Sequence, residues 1–480
     1  MRFVISKPSY RNGLLLMVAC LTLASVAQLS ASGAALVVTS TVDRGPGSLR
    51  WALATAVSGD TITFDPSVFP PQAPVTIALA NPLPPISEGN LTLDGTGAGV
   101  IIDGSAIAED CDCLTVLSDG NTVRALRIGG CNWSSVGVHG ADNTIANNVL
   151  FGSGGGVVLE DPAAHHNVVI GNFIGTDAFG SGGLGNQIGV VIDLGAHYNT
   201  VGGDSPAERN VISGNADTGI LIANDGSDHN TVIGNYVGVG PNGTTAVANG
   251  GNGIVIADGA AYNTVGGAGS GEGNVISSNT YHGVAIWDPG TDSNQVMGNL
   301  IGTNAQGTSA LANGSSGVAL DNGAELNTIG GATVAAGNLI AYNIWDGVTV
   351  HGSTTRRNTI SHNAITANAG LGINNDEGGN AELAPPVLSS VAGRTVSGTA
   401  CARCKLEFFS DSTDEGRFFE GAVTANSNST FTFTAAAAFS ASYLTATVTD
   451  SSGNTSEFSA PIAAYCRTYL PVALRRVEFH

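Results

Sequence analysis

Between residues 188 and 350 the chain repeats a short pattern of glycine, an apolar residue, any residue and a second apolar residue. Alternation with a period of two predicts short β-strands that turn the two apolar side chains toward one face. The middle position, on the opposite face, is mostly small and apolar. The copies occupy 189–192, 219–222, 253–256, 283–286, 317–320 and 347–350.

A second repeat combines asparagine, threonine or a related residue, an apolar residue and usually glycine. Its copies follow one another at roughly 32 residues, a period typical of solenoids. Equivalent strands of successive rungs should then pair in parallel about 4.8 Å apart, with the asparagine amides bonding to one another. Aspartates in such a column would repel one another, which explains why asparagine recurs. The copies begin at Asn167, Asn199, Asn230, Asn263, Asn294, Asn327 and Asn358.

The two flanks of the repeat differ from it. Ser48 can cap a short helix over 49–57, which would cover the open end of the solenoid. After 384–386 the alternating segments 405–409, 430–434 and 443–449 are separated by turns and predict a β-sandwich.

The first residues have the pattern of a secretory signal. Arg2, Lys7 and Arg11 precede an apolar stretch over 14–27 that is too short to span a membrane. Cleavage is predicted after Ala27 or near 33–35, and a lipoprotein-type cut before Cys20 is an alternative. No later segment could cross a bilayer. The predicted domains are a signal peptide (1–35), an N-terminal cap (36–89), a β-helix (90–383), an immunoglobulin-like sandwich (384–464) and a tail (465–480).

The charge balance restricts the partners. With 17 basic and 38 acidic residues the formal net charge is −21, which disfavours nucleic acid and anionic lipid. Cations and neutral glycans remain compatible with such a surface. Charged residues make up only 11% of the chain, less than half of the usual share of about 25%.

Six cysteines remain after removal of the signal, and an even number in an exported chain favours disulfides. Cys401 and Cys404 are the candidate pair, since they lie close in sequence. The pairing of the others stays open from the sequence. These are Cys111, Cys113, Cys131 and Cys466.

Three segments resemble known families. Residues 42–53 with 59–64 resemble the N-terminal module of secreted bacterial β-helix proteins, and the repeats resemble the right-handed parallel β-helix of the pectin-lyase-like superfamily. Residues 445–458 resemble immunoglobulin-like modules of bacterial surface proteins. We therefore expect an all-β chain, with a right-handed parallel β-helix, a short N-terminal capping helix and a C-terminal β-sandwich. The resemblance also implies a polysaccharide lyase or glycoside hydrolase as one possible activity.

Catalytic residues for either reaction are sparse. A lyase needs a base, often Arg or Lys, and a group that stabilises the enolate, but Arg209 is the only Arg or Lys between residues 128 and 355. Hydrolases of this fold use converging aspartates, whereas the outward positions of the repeated strand are small and mostly apolar. Whether the protein is an enzyme stays open, and the sequence favours a non-catalytic role.

Two groups of side chains could bind ligands. Tyr281, Trp287 and Trp345 could stack on sugar rings, with ordinary surface packing as the alternative. Asp258, Asp288 and Asp321 follow the repeated strand, where Asx turns are the favoured explanation and bound calcium is the alternative. A further exposed column, considered for metal binding, consists of His166, Tyr198, His229 and Tyr262.

These features predict a secreted or cell-surface protein that presents one solenoid face to polysaccharide or cell-envelope material. The alternative is a polysaccharide lyase or glycosidase of the pectin-lyase-like class. Calcium is the one cofactor for which the sequence offers ligands, and nucleic acid is not an expected partner. The oligomeric state is not predicted.

Overall fold

A computed structural model describes residues 33–464. The predicted signal segment up to residue 32, and the predicted tail with Cys466, lie outside the described residues. Within them, the chain forms three long parallel sheets, two small antiparallel sheets, one α-helix and two short 3-10 helices (Val334–Ala336 and Gly379–Glu382). None of the helices in this range is long and apolar enough to cross a membrane.

Each long sheet contains one short strand from nearly every rung. The first sheet has 12 strands: Ala35–Val38, Thr61–Phe64, Thr92–Asp94, Thr122–Arg124, Thr144–Ala146, Val168–Ile170, Thr200–Gly202, Thr231–Ile233, Thr264–Gly266, Gln295–Met297, Thr328–Gly330 and Thr359–Ser361. The second has 11: Val75–Ala78, Val100–Asp103, Arg127–Gly129, Val149–Phe151, Phe173–Ile174, Val211–Ile212, Tyr236–Val237, Val275–Ile276, Leu300–Ile301, Leu339–Ala341 and Ala364–Thr366.

The third sheet has 10 strands: Leu114–Val116, Ser134–Val138, Gly155–Glu160, Ile188–Asp193, Ile220–Ala223, Ile254–Ala257, Val284–Trp287, Val318–Asp321, Val348–His351 and Ile373–Asp376. In all three sheets the hydrogen-bonded neighbours come from successive rungs, as in the parallel pairing of Thr231 with Thr264. The chain is therefore a parallel β-helix, and crossovers between parallel strands are right-handed in about 98% of cases. The predicted fold class is confirmed.

The core is a continuous apolar column along the solenoid axis. In one rung, Ile222, Val232 and Val237 come from the third, first and second sheets, and all three are fully buried. Burial of a side chain of this size contributes about 1.5–3 kcal/mol. The rod is thus stabilised by the same apolar contact repeated from rung to rung.

Three ladders of buried asparagines run parallel to this core. In the first, at the turn that precedes the first sheet, side-chain Nδ2 donates to Oδ1 of the next asparagine at 2.9–3.2 Å. Asn143 is linked to Asn167 through its backbone N–H, which donates to Asn167 Oδ1. The sequence predicted this first ladder from Asn167 onward. Its members are Asn121, Asn143, Asn167, Asn199, Asn230, Asn263, Asn294, Asn327 and Asn358.

The other two ladders precede the second and the third sheets. Their amide-to-amide distances are 2.8–3.1 Å and 2.9–3.1 Å. The second contains Asn148, Asn172, Asn210, Asn235, Asn274, Asn299, Asn338 and Asn363; the third contains Asn186, Asn215, Asn249, Asn279, Asn313, Asn343 and Asn368. Each of the three turns of the solenoid is therefore held by a line of side-chain hydrogen bonds.

The N-terminal end of the solenoid carries the predicted short helix, Leu49–Thr55. The hydroxyl of Ser48 caps it by accepting a hydrogen bond from the backbone N–H of Trp51 at 3.2 Å. Leu49, Ala52 and Leu53 are buried against the first rungs. The helix thus covers apolar side chains that the first rung would otherwise expose.

The C-terminal end is covered by a small β-sandwich. One antiparallel sheet contains Val387–Ala392, Thr395–Thr399 and Thr430–Thr434, and the other contains Lys405–Asp411, Phe418–Thr424, Tyr443–Thr449 and Ile462–Ala463. Between them, the rings of Phe408 and Phe433 stack with centroids 4.4 Å apart. The sandwich touches the last rungs directly, because buried Glu407 accepts hydrogen bonds from Ser361 Oγ (2.6 Å) and His362 N (2.9 Å).

Two disulfides lie within the described residues. Cys113 is bonded to Cys131 between neighbouring rungs, and Cys401 is bonded to Cys404 at the edge of the sandwich, each pair with Cα atoms 5.5 Å apart. Cys111 carries a free, half-buried thiol. Burial, with the acidic neighbours Asp112, Glu109 and Asp110, raises the pKa of this thiol.

Candidate functional site

The outward face of the third sheet carries both aromatic and ionisable side chains along a regular column of strands. Its central column contains Val158, Val191, Leu221, Val255, Ala285, Ala319 and Thr349, in parallel register. Most of these side chains are small or aliphatic and are buried by their neighbours. The column is apolar and mostly buried, and the exposed aromatic and acidic side chains of this face lie toward its two ends.

The C-terminal end of this face presents aromatic side chains. Tyr281 and Trp345 are 58% and 62% exposed. They occupy the same turn position two rungs apart, because Ser315 N donates to Tyr281 O and Trp345 N donates to Ser315 O. Two rungs correspond to about 10 Å along the axis. Trp287 ends the strand Val284–Trp287 and is half-buried on the same face.

A polar network lies beside Trp345. Asp346 Oδ2 accepts hydrogen bonds from Thr349 Oγ1 (3.0 Å) and Asn374 Nδ2 (2.9 Å), and Oδ1 accepts one from Leu371 N (2.8 Å). Thr349 Oγ1 also lies 2.8 Å from Ser316 Oγ. These bonds hold hydroxyl, amide and carboxylate groups next to an exposed indole, the combination that binding sites for polyhydroxylated ligands use.

His282 lies behind the aromatic residues. Its ring contacts that of Trp287 edge to face at 6.4 Å, and its Nδ1 is buried without a hydrogen-bond partner. Burial lowers the pKa of His282, opposed by a hydrogen bond to the backbone of Ser316. The imidazole is therefore held neutral near physiological pH.

The predicted calcium ligands do not share one register position. Asp258 and Asp288 occupy equivalent positions on successive rungs. Asp321 is offset by one residue, because it pairs with Trp287, and Asn322 takes the position equivalent to Asp288. Asn322 Nδ2 donates to Asp288, and its backbone N–H donates to Asp321 Oδ1 at 2.5 Å. Across residues 33–464, no three His, Cys, Asp or Glu side chains form a group that could hold a metal ion. The calcium site stays a prediction.

The N-terminal end of the same face is acidic. His139 Nε2 lies 3.8 Å from Glu160 Oε1, and His139 Nδ1 lies 3.4 Å from Asp161 Oδ2. Glu160 pairs in register with Asp193 on the next strand. Asp112 is buried and accepts hydrogen bonds from Ser134 Oγ (2.6 Å) and Thr115 Oγ1 (3.0 Å).

Two of these carboxyls have an altered affinity for protons. Burial raises the pKa of Asp112 against the effect of its two hydroxyl donors. Burial also raises the pKa of Glu160; His139 opposes the shift, whereas the charges of Asp112, Asp161 and Asp193 add to it. A carboxyl that keeps its proton to higher pH beside an ionised carboxylate can act as a general acid.

Arg209 lies away from this face. Its guanidinium carbon is 4.2 Å from the ring centroid of Tyr236 on the second sheet, and its Nε donates to Gly234 O at 3.1 Å. The side chain is thus engaged in local packing. The third-sheet face has no lysine or arginine between residues 128 and 355, where a lyase of acidic polymers would need one.

No protein-family model and no curated protein sequence matches this chain. Solved structures with similar folds include the Dettilon tailspike protein, at 16% identity over 86% of this chain and 78% of that one, with a TM-score of 0.46. A mutant of the periplasmic alginate epimerase AlgG matches at 12% identity, 63% and 61% coverage and a TM-score of 0.29. A PL6-family polysaccharide lyase from Pseudopedobacter saltans matches at 14% identity over 71% of this chain and 78% of that one, with a TM-score of 0.33. At these values we draw neither substrate nor reaction from the matches.

The acidic end was not predicted from the sequence. Successive members of the set Asp112, His139 and Glu160 are more than 20 residues apart, and the strands next to Asp112 and His139 lack the glycine motif of the later strands. Only the strand register, which pairs Val138 with Leu159 and Glu160 with Asp193, brings them onto one face. In the sequence, the signal for this end is the recurrence of acidic residues at equivalent positions of these early rungs.

Proposed function

We propose that the protein is an exported β-helix that binds an extended, uncharged polysaccharide on the outward face of its third sheet. The exposed side chains of Tyr281 and Trp345, two rungs apart on either side of Ser315, carry this proposal. Aromatic rings pack on the apolar faces of sugars, and the Asp346 network supplies hydrogen-bond partners for hydroxyl groups. Export is supported by the predicted signal peptide and by two disulfides.

The charge of the surface supports the choice of an uncharged glycan. The chain has a formal net charge of −21. Asp288 and Asp346 flank the aromatic end, in a stretch from residue 210 to 355 that contains no lysine or arginine. An anionic polymer would be repelled there. A neutral glycan carries no charge for this surface to repel, and its contacts with the aromatic rings should be insensitive to salt.

The test is a glycan array of neutral and acidic polysaccharides, followed by titration calorimetry with the best neutral oligosaccharide. We expect Trp345→Ala and Tyr281→Ala each to lower affinity by about tenfold, the effect of losing roughly 1.4 kcal/mol of ring contact. Phe179→Ala is the matched control, since Phe179 is 81% exposed in a different loop. Binding that is unchanged in the first two variants, or selective for acidic polymers, would overturn the proposal.

A second candidate function is supported by the acidic end. Glu160, with its raised pKa, lies next to Asp193 in register and near His139, and a pair of neighbouring carboxyls is the arrangement used in glycoside hydrolysis. In this hypothesis Glu160 donates a proton to the leaving-group oxygen, and Asp193 acts as base or nucleophile.

The hydrolase hypothesis is tested with a reducing-sugar assay on neutral polysaccharides. Uronic-acid polymers are assayed in parallel by absorbance at about 235 nm for unsaturated lyase products. Glu160→Gln and Asp193→Asn should abolish release of reducing ends, while Asp204→Asn, in an insertion loop outside this face, should not. Absence of turnover on every glycan that binds would leave glycan binding as the function and refute hydrolysis. Unsaturated products would instead indicate a lyase.

A further inference from the structure

Histidine is concentrated on a different face, at the turn that precedes the first sheet. One exposed column there contains His166, Tyr198, His229 and Tyr262, each directly before an asparagine of the first ladder. All four residues have a left-handed backbone, with φ between 54° and 58°. The turn therefore projects one aromatic side chain per rung into solvent at nearly constant spacing.

The rings of this column stack on one another. The centroid of His166 lies 5.4 Å from that of Tyr198 at an interplanar angle of 11°, and His229 lies 5.2 Å from Tyr262 at 16°. Tyr198 and His229 are 4.8 Å apart. Stacking restricts the rotamers of each ring, so that the imidazole of His166 is held in place at the end of the column.

Beside His166, the ring of His165 brings a second imidazole nitrogen to the same point. Nδ1 of His165 lies 2.9 Å from Nδ1 of His166, and the two ring planes are almost perpendicular at 87°. His165 is itself packed against His197, with centroids 5.3 Å apart. The Nδ1 of His197 lies 2.9 Å from the carbonyl oxygen of Gly195, and since a carbonyl oxygen only accepts, Nδ1 is the donor.

The separation of the two Nδ1 atoms matches a pair of cis metal ligands. For metal–nitrogen bonds of about 2.0–2.1 Å, nitrogens 2.9 Å apart subtend an angle of about 90° at the metal. That angle belongs to square-planar or tetragonal coordination, as in Cu(II) and Ni(II), whereas tetrahedral Zn(II) needs a wider pair. Imidazole is a suitable ligand for all three ions, and the order of affinities also places Cu(II) first.

We propose that His165 and His166 form a two-nitrogen binding site for a divalent transition-metal ion, with preference for Cu(II), completed by solvent. Asp142, exposed one rung before His166, adds negative charge near the pair. The stacked Tyr198 ring holds His166 in the geometry of a ligand before the ion arrives. This site is independent of the glycan-binding face proposed above, since it lies at a different turn of the solenoid.

The test uses the exported chain without an affinity tag, titrated with Cu(II) by calorimetry and examined by electron paramagnetic resonance. We expect one ion with two equatorial nitrogens, binding at least tenfold more tightly than Zn(II). His165→Gln and His166→Gln should each weaken Cu(II) at least tenfold and reduce the coupled nitrogens to one. Tyr198→Ala keeps both ligands and should weaken binding less.

His351→Gln is the matched control, because His351 is an exposed histidine that lies near Asp376 at the other end of the solenoid. It should leave Cu(II) binding unchanged, and circular dichroism should show that every variant is folded. A wild-type protein that binds Cu(II) no better than the His165/His166 double variant would overturn the proposal and leave only a hydrogen bond between the two rings. Loss of binding in His351→Gln or His139→Gln alone would place the site elsewhere and overturn it equally.

Discussion

Glu415 Oε1 accepts a hydrogen bond from Asn368 Nδ2 at 3.1 Å, at the point where the third asparagine ladder ends. Asn368 is the last member of that ladder and receives Asn343 Nδ2 at 3.0 Å. Glu415 belongs to the C-terminal sandwich, so a buried carboxyl of one domain completes the hydrogen bonds of the other. The junction between the solenoid and the sandwich therefore depends on the protonation of this side chain.

Stability should fall as pH rises through the titration of Glu415. Burial raises the pKa of Glu415 to about 7, against hydrogen bonds from Asn368 and with a further contribution from the charge of Asp411. A raised carboxyl pKa stabilises the fold below the unfolded value of about 4.3 and loses that contribution as the carboxyl ionises. We expect Glu415→Gln to gain about 1–3 kcal/mol over the wild type between pH 4.5 and 8, measured by thermal melts.

Glu88→Gln is the control for this experiment, because Glu88 is exposed near the N-terminal end. It reports what the removal of any single carboxylate does to the melting temperature of an acidic chain. A constant difference between Glu415→Gln and the wild type at every pH would contradict the role of Glu415 ionisation.

Replacing an internal ladder asparagine with aspartate should be strongly destabilising. Asn263 accepts through Oδ1 from Asn230 Nδ2 (3.1 Å) and donates through Nδ2 to Asn294 Oδ1 (3.2 Å) and Ser227 O (3.0 Å). Aspartate keeps the accepting side but sets a buried carboxylate oxygen against two acceptors. We expect a loss of about 2–5 kcal/mol in chemical denaturation. Asn242→Asp, an exposed asparagine that accepts from Thr244 N and Thr245 N, should cost little.

The sequence predicted the repeating parts of the molecule well, because repetition makes the fold visible without tertiary information. Asn263 and its equivalents lie next to the glycine motif, so their ladder was predicted, whereas Asn186 and Asn215 lie in turns of variable length and were not recognised. The proximity of His139 and Glu160 was not predicted, for a related reason. They meet only through the register of short early rungs, and no local pattern encodes that pairing.

The two disulfides should contribute unequally to stability. Cys113 and Cys131 are 18 residues apart and Cys401 and Cys404 are 3 apart, so the first bond restricts the unfolded chain more. From loop-closure entropy we expect the double alanine variant of Cys113 and Cys131 to lose about 3 kcal/mol and that of Cys401 and Cys404 about 1.6 kcal/mol. Chemical denaturation with and without a reductant measures the loss in free energy of unfolding for each variant. Equal losses would show that closure of the longer loop is not the dominant effect.

The glycine pairs of the repeat should tolerate no side chain at their first position. Gly266 has φ +87°, and a Cβ there would lie 2.0 Å from the carbonyl oxygen of Met297 on the next rung. Backbone cannot withdraw from that contact without breaking the parallel pairing of Gly266 with Met297. Gly266→Ala should therefore cost both the strain of a left-handed backbone, about 1 kcal/mol, and the displacement of a rung.

Gly97→Ala separates these two effects. Gly97 also has a positive φ, +77°, but a Cβ there meets no atom within 4 Å, so only the backbone strain of about 1 kcal/mol remains. Urea denaturation of the two variants should give a clearly larger loss for Gly266→Ala, with exchange of the amide hydrogens faster in the strands around Met297 than in the wild type. Equal losses would mean that the repeat requires glycine for its backbone conformation alone, and that the close approach of successive rungs contributes nothing to its recurrence.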